Sequence, residues 1–145
     1  MQYLVTISIT IITGTLIFVL QEVIKSYVIK PKTEYEELKS KISFLLIYYA
    51  GVIHNPRSND SNGDESCLEM YKNAEMQFRD VASRLMSFSR KSHKLVKCIP
   101  PNDILYRASK NLIGLANGVY KENTKDNVRK HNIEHEKELK KLLNI

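Results

Sequence analysis

Residues 4–20, LVTISITIITGTLIFVL, form an uncharged run followed at once by Gln21, Glu22 and Lys25. An α-helix rises about 1.5 Å per residue and a bilayer's hydrocarbon core is about 30 Å thick, so about twenty residues are needed to cross it. With residues 1–3 and 21–24 placed at the two interfaces, the run reaches that length. A buried core helix or a removable signal peptide has a similar composition. Against the first, no charged face appears over nearly five turns. Against the second, no basic region precedes the run and no small-x-small site follows it. The chain is therefore read as one retained N-terminal transmembrane helix with its juxtamembrane extension (residues 1–30), and a second region, residues 31–145.

No Lys or Arg precedes the span, whereas Lys25, Lys30, Lys32, Lys39 and Lys41 follow it. The positive-inside rule then leaves the N-terminus outside and the remainder cytoplasmic. At 100° per residue Thr6, Thr10, Thr13 and Gly14 fall on one face, which Gln21 extends to the membrane edge. Small and hydroxylated residues let helix backbones approach closely in lipid, so this strip is expected to pack against other copies of the span or to line a wet lumen. Hydrogen bonds from Thr and Ser to their own helix carbonyls are the plainer account of each residue alone.

Beyond the span the pattern is helical throughout. Lys30-Pro31 is expected to form an elbow at the membrane surface, because proline has no amide and disfavours a helical residue before it. Thr33 with Glu36 then offers a capping box. Leu38, Ile42, Leu45, Tyr49 and Val52 recur at steps of four and three, with Phe44, Leu46, Ile47 and Tyr48 widening the apolar surface. This helix is expected to be deeply buried or to meet a neighbouring subunit. Residues 54–64, rich in turn formers, read as a loop. A third helix, near residues 64–90, carries the row Cys67, Tyr71, Ala74, Phe78, Val81, Leu85 and Phe88. A fourth, capped by Asn102 or Asp103, carries Leu105, Ala108, Leu112, Leu115 and Val119. Gly114 and Gly118 in it each cost about 1 kcal/mol of helix propensity relative to Ala, which a tight helix crossing would justify. The last helix, near residues 124–143, is expected to turn Val128, His131, His135, Leu139 and Leu142 inward. With five Gly and four Pro there is little provision for a turn-rich β fold. The fold class is all-α: the span followed by a cytoplasmic up-and-down bundle of four helices.

Net charge is +6, which suits anionic lipid or RNA as a neighbour. Part of the excess only serves topology. Arg90, Lys91, His93, Lys94 and Lys97 form a basic patch, read either as a phosphate contact or as a solvated helix end complementing the helix dipole. The two cysteines, Cys67 and Cys98, make no metal or redox motif and suit a reducing compartment. His131 and His135 stand at i and i+4 beside Glu134 and Glu138, but no third ligand is suggested elsewhere, so neither a metal nor any other cofactor is expected.

Arg129 and His135 have the spacing of the HEPN ribonuclease motif, R-x5-H, and HEPN domains are small helical bundles. In such enzymes the cation stabilises the phosphorane while the His moves a proton. Lys130 fits the position after the Arg only loosely, so these are weak catalytic candidates and the chain is expected not to be an enzyme. Together with His131 they are read first as an interface.

The order of features, with an N-terminal span, the Lys-Pro step, SFLLIYYAGV at residues 43–52, NLIGLANGV at residues 111–119 and the Arg129…His135 pair, resembles the small accessory membrane protein of type VI-B CRISPR systems. That resemblance implies a HEPN-like bundle, a ring-like homo-oligomer in the bacterial inner membrane, and a pore that enhances antiphage defence led by an RNA-guided ribonuclease. The partners it implies are further copies of the chain, membrane lipid, and the RNA-guided effector or its RNA. A membrane-tethered HEPN-type ribonuclease and a non-enzymatic anchor or adaptor are the competing readings.

Overall fold

A computed structural model describes residues 2–56, 65–91, 96–119 and 125–145, with the side chains of residues 65–67 and 125–126 left aside. Much of the 54–64 loop, the Cys67 side chain, His93 and Lys94 lie outside the described residues. The helices are α1 (Gln2–Ile24), α2 (Lys30–Tyr48), α3 (Ala50–His54), α4 (Glu65–Ser89), α5 (Asn102–Gly118) and α6 (Lys125–Leu143), and no strand occurs among the described residues.

The expected elbow at Lys30-Pro31 is absent. The chain runs from Gln2 to Tyr48 as one helical rod of 47 residues, and a π-helical turn at Lys25–Ile29 joins α1 to α2. Proline removes one amide from the ladder, and its ring presses on the carbonyl four residues back. The wider π turn, closed where the Lys30 amide donates to the Lys25 carbonyl, opens the ladder just ahead of Pro31 and accommodates both demands. The Thr33–Glu36 capping box therefore has no helix start to cap, and α2 carries no side-chain cap bond at its N-terminus. A second interruption falls at Tyr49 (φ −99°, ψ 18°), which separates α2 from α3.

No residue of the span from Gln2 to Ile24 is buried, and its mean hydropathy of 2.2 in an 18-residue window fits a bilayer-crossing helix.

The bundle's direction can be followed through its contacts. Tyr35 stacks on Phe88 (centroids 6.2 Å apart) and Tyr49 meets Phe78 edge-on at 5.9 Å, so α4 runs antiparallel to α2. Arg79 of α4 donates to Asn117 of α5, and Asn102 of α5 donates to the Lys91 carbonyl beyond α4, which makes α5 antiparallel to α4. Asn132 of α6 reaches Gly118, His135 reaches Asn111, and Glu138 pairs with Arg107, so α6 descends again. This is an up-and-down bundle. The rows Leu38-Ile42-Leu45-Tyr49-Val52, Tyr71-Ala74-Phe78-Val81-Leu85-Phe88 and Leu105-Ala108-Leu112-Leu115-Val119 are all buried in its single core. The lower end, where α2 begins and α4 and α6 finish, faces the span.

Candidate functional site

Of the expected inner row of α6, Val128 and Leu139 are buried, His135 and Leu142 are half-buried against the bundle, and His131 is exposed; Asn132, Glu136 and Leu143 are buried beside them. Asn132 and Glu136, both polar and both buried, had no place in the expected inner row. Their burial requires partners. Asn132 Nδ2 donates to the carbonyls of Ile53 (3.0 Å) and Gly118 (3.1 Å), closing the last turn of α3 and the C-terminus of α5 with one amide. Glu136 accepts from Lys140 Nζ at 2.7 Å and pairs with His54 Nε2 at 2.8 Å. Burial acts to raise the Glu136 carboxyl, but the hydrogen bonds and charges of Lys140 and His54 outweigh it and hold the group below the usual carboxylate range.

His135 is half-buried, with Nδ1 2.9 Å from Asn111 Oδ1, and Asn111 Nδ2 donates to the Arg107 carbonyl. The two glycines of α5 explain how these side chains fit. A Cβ on Gly114 would lie 2.5 Å from His135 Nε2, and a Cβ on Gly118 would collide with the Asn132 amide. The tight crossing expected of Gly114 and Gly118 is thus made with the two polar side chains of α6.

These facts bear on the Arg129–His135 pair. Arg129 is exposed, whereas His135 points into the α5 crossing. They stand six positions apart on a regular helix, about 120° around its axis, so within one chain they share no face. His131 and His135 are likewise divided between solvent and bundle, and no cluster of three His, Cys, Asp or Glu that could hold a metal occurs among the described residues.

In the span, Thr6, Thr10, Thr13, Gly14 and Gln21 are all exposed, and a Cβ on Gly14 meets nothing within 4 Å. Thr6, Ser8, Thr10 and Thr15 each donate to the carbonyl four residues back, at 2.9 to 3.0 Å. The hydroxyls of Thr6 and Thr10 are thus donated within the helix, so at those positions the strip offers a neighbour close approach rather than a hydroxyl donor. Of the basic patch, Arg90 and Lys97 are exposed, and Lys91 pairs with Glu34 at 2.8 Å. Asn102 donates to the Lys91 carbonyl instead of capping α5, whose N-cap is Pro101.

One surface of the bundle is conspicuously apolar. Phe44, Ile47 and Tyr48 are 54%, 75% and 61% exposed, with the Phe44 and Tyr48 rings stacked at 5.4 Å. Of the two fates expected for this helix, its stripe and Leu46 are buried, while Phe44, Ile47 and Tyr48 of its widened side are open. No protein-family model, curated protein or solved structure matches the chain.

Proposed function

We propose that the chain is a non-enzymatic, single-span membrane protein that works as a homo-oligomer, its bundles gathering the spans into a membrane-permeabilising assembly. The observation that carries this reading is the Phe44–Ile47–Tyr48 face on the same rigid helix that leaves the membrane. A contiguous apolar patch on a domain in water marks an interface. A second copy suits it because anchored copies stand side by side in one plane, presenting equal levels to one another. Met76, 59% exposed, stands on α4 half a turn from Phe78, at the level that the Tyr49–Phe78 contact gives to Tyr48. A head-to-tail contact from the α2 face of one copy to the α4 face of the next is a geometry that closes into rings. Because α1 continues α2, such contacts would bring the strips of Thr6, Thr10, Thr13, Gly14 and Gln21 into register.

The N-out, C-in orientation rests on the lysines that follow the span. A place in antiphage defence, in a bacterial inner membrane, rests on the resemblance to the type VI-B accessory protein alone. The ribonuclease alternative is not favoured by the divergence of Arg129 and His135. Sizing of the detergent-solubilised protein, with influx of a membrane-impermeant dye into expressing cells, tests the proposal. A discrete oligomer with dye entry supports it; a monomer refutes it.

A further inference from the structure

The lower end of the bundle gathers basic side chains from three separated parts of the chain. Lys30 and Lys32 stand at the start of α2, Arg90 at the end of α4, and Lys97 in the turn before α5, all exposed. The Lys91–Glu34 ion pair at 2.8 Å ties the end of α4 to the first turns of α2. Val96 and Ile99 are buried, and the Ile99 amide donates to the Val96 carbonyl at 3.1 Å, so the turn between them holds Lys97 and Cys98 outward. The Tyr35 hydroxyl is pushed up to about 12 by burial and then by the neighbouring Glu36 and Cys98, consistent with that turn lying against the foot of α2. The acidic groups at this end are Glu34, engaged by Lys91, Glu36 and Glu37, both exposed on α2 just above it, and Asp103 in the first turn of α5.

We propose that this foot, through Lys30, Lys32, Arg90 and Lys97, docks on the anionic phospholipid headgroups of the leaflet from which α2 emerges. The proposal rests on the reading of α1 as a membrane span. Lys30 stands six residues, about 9 Å, and Glu34 ten residues, about 15 Å, beyond Ile24 at the interface, against a screening length of about 8 Å at physiological salt. The headgroup potential therefore acts on Lys30 and Lys32 first, and on Arg90 and Lys97 when the rod tilts so that the foot lies on the leaflet. RNA is the weaker candidate, because a polyanion reaching the same residues must approach that negatively charged surface. Docking would hold the bundle down on the leaflet and fix the tilt of the whole rod in the bilayer.

Cys98 is exposed and supplies the reporter. The full chain carrying Cys67→Ser, labelled at Cys98 with an environment-sensitive fluorophore, is reconstituted into vesicles containing a headgroup-quencher lipid. One set is phosphatidylcholine alone, and the other is mixed with phosphatidylglycerol. Quenching is expected to be stronger in the anionic vesicles and to fall in high salt. Each basic side chain near such a surface contributes about a five-fold factor, so Arg90→Gln with Lys97→Gln lowers the docked-to-undocked ratio about 30-fold while the protein still floats with carbonate-washed vesicles. Equal quenching in both lipids, or quenching untouched by the double substitution, overturns the proposal. A probe that responds to a single-stranded RNA but not to anionic lipid reassigns the patch to nucleic acid. Loss of the protein from the vesicles in carbonate overturns the span itself, and the docking with it.

Discussion

Replacing Gly114 by Ala should destabilise the protein, although the same change in an ordinary helix is favourable. Helix propensity alone favours Ala by about 1 kcal/mol. The new methyl, however, would lie 2.5 Å from His135 Nε2 and 2.7 Å from the ring carbons Cδ2 and Cε1. A rigid ring cannot yield locally, so it must swing out and release its 2.9 Å contact with Asn111. Leaving the buried Asn111 oxygen unpaired costs about 1–3 kcal/mol, and repacking the crossing costs about 1–3 kcal/mol more. The net effect is about 3 kcal/mol of destabilisation, or a fall of about 9–12 °C in Tm for a chain of this size. In a His135→Ala background the ring is gone, and Gly114→Ala should then raise Tm by about 3 °C. Thermal melts of the detergent-solubilised protein, followed by circular dichroism at the helical band, measure all four corners of this cycle. A stabilising Gly114→Ala in the parent chain, or the same sign in both backgrounds, would refute the reasoning.

Other expectations are equally direct. Asn132→Ala removes both carbonyl contacts at the top of the bundle and should cost about 2–4 kcal/mol, read from the same melts. Ile47→Asp lies on an exposed surface and should change monomer stability by no more than about 0.5 kcal/mol, yet convert the oligomer to monomer in detergent and abolish dye entry. The Glu136 carboxyl is held low in the folded protein, so its stabilising contribution is present above the unfolded value of 4.5 and is lost as pH falls through the folded value. Glu136→Gln should flatten the acid side of a Tm-against-pH profile below about that point. Arg129→Ala, at an exposed position, should leave Tm unchanged.

The three apolar rows of α2 with α3, α4 and α5 were legible because steps of four and three in Leu, Ile, Phe and Val admit one register only. In α6 that signal fails. Its single aliphatics are outnumbered by polar residues, and of the two histidines at i and i+4 only His135 reaches the bundle, while His131 faces solvent. The deciding residues, Asn132 and Glu136, are buried for their hydrogen bonds to Ile53, Gly118, His54 and Lys140, which apolar periodicity does not register. The glycine pair Gly114 and Gly118 did signal a close crossing, although what fills it is an imidazole and an amide. Pro31 misled in the opposite sense. Its missing amide and crowded ring are local facts, but the helix absorbs them five residues earlier instead of breaking.

That π turn at Lys25–Ile29 has a geometric consequence. A π turn holds one residue more than the α-helical turn it replaces, and one residue corresponds to about 100° of azimuth. It therefore acts as a phase setter, fixing which side of the membrane rod looks toward the flank bearing Phe44 and Tyr48. Excising a single residue there would leave both halves intact while rotating one against the other by more than a quarter turn. In the proposed oligomer, neighbouring copies would then present a different seam of the span to each other.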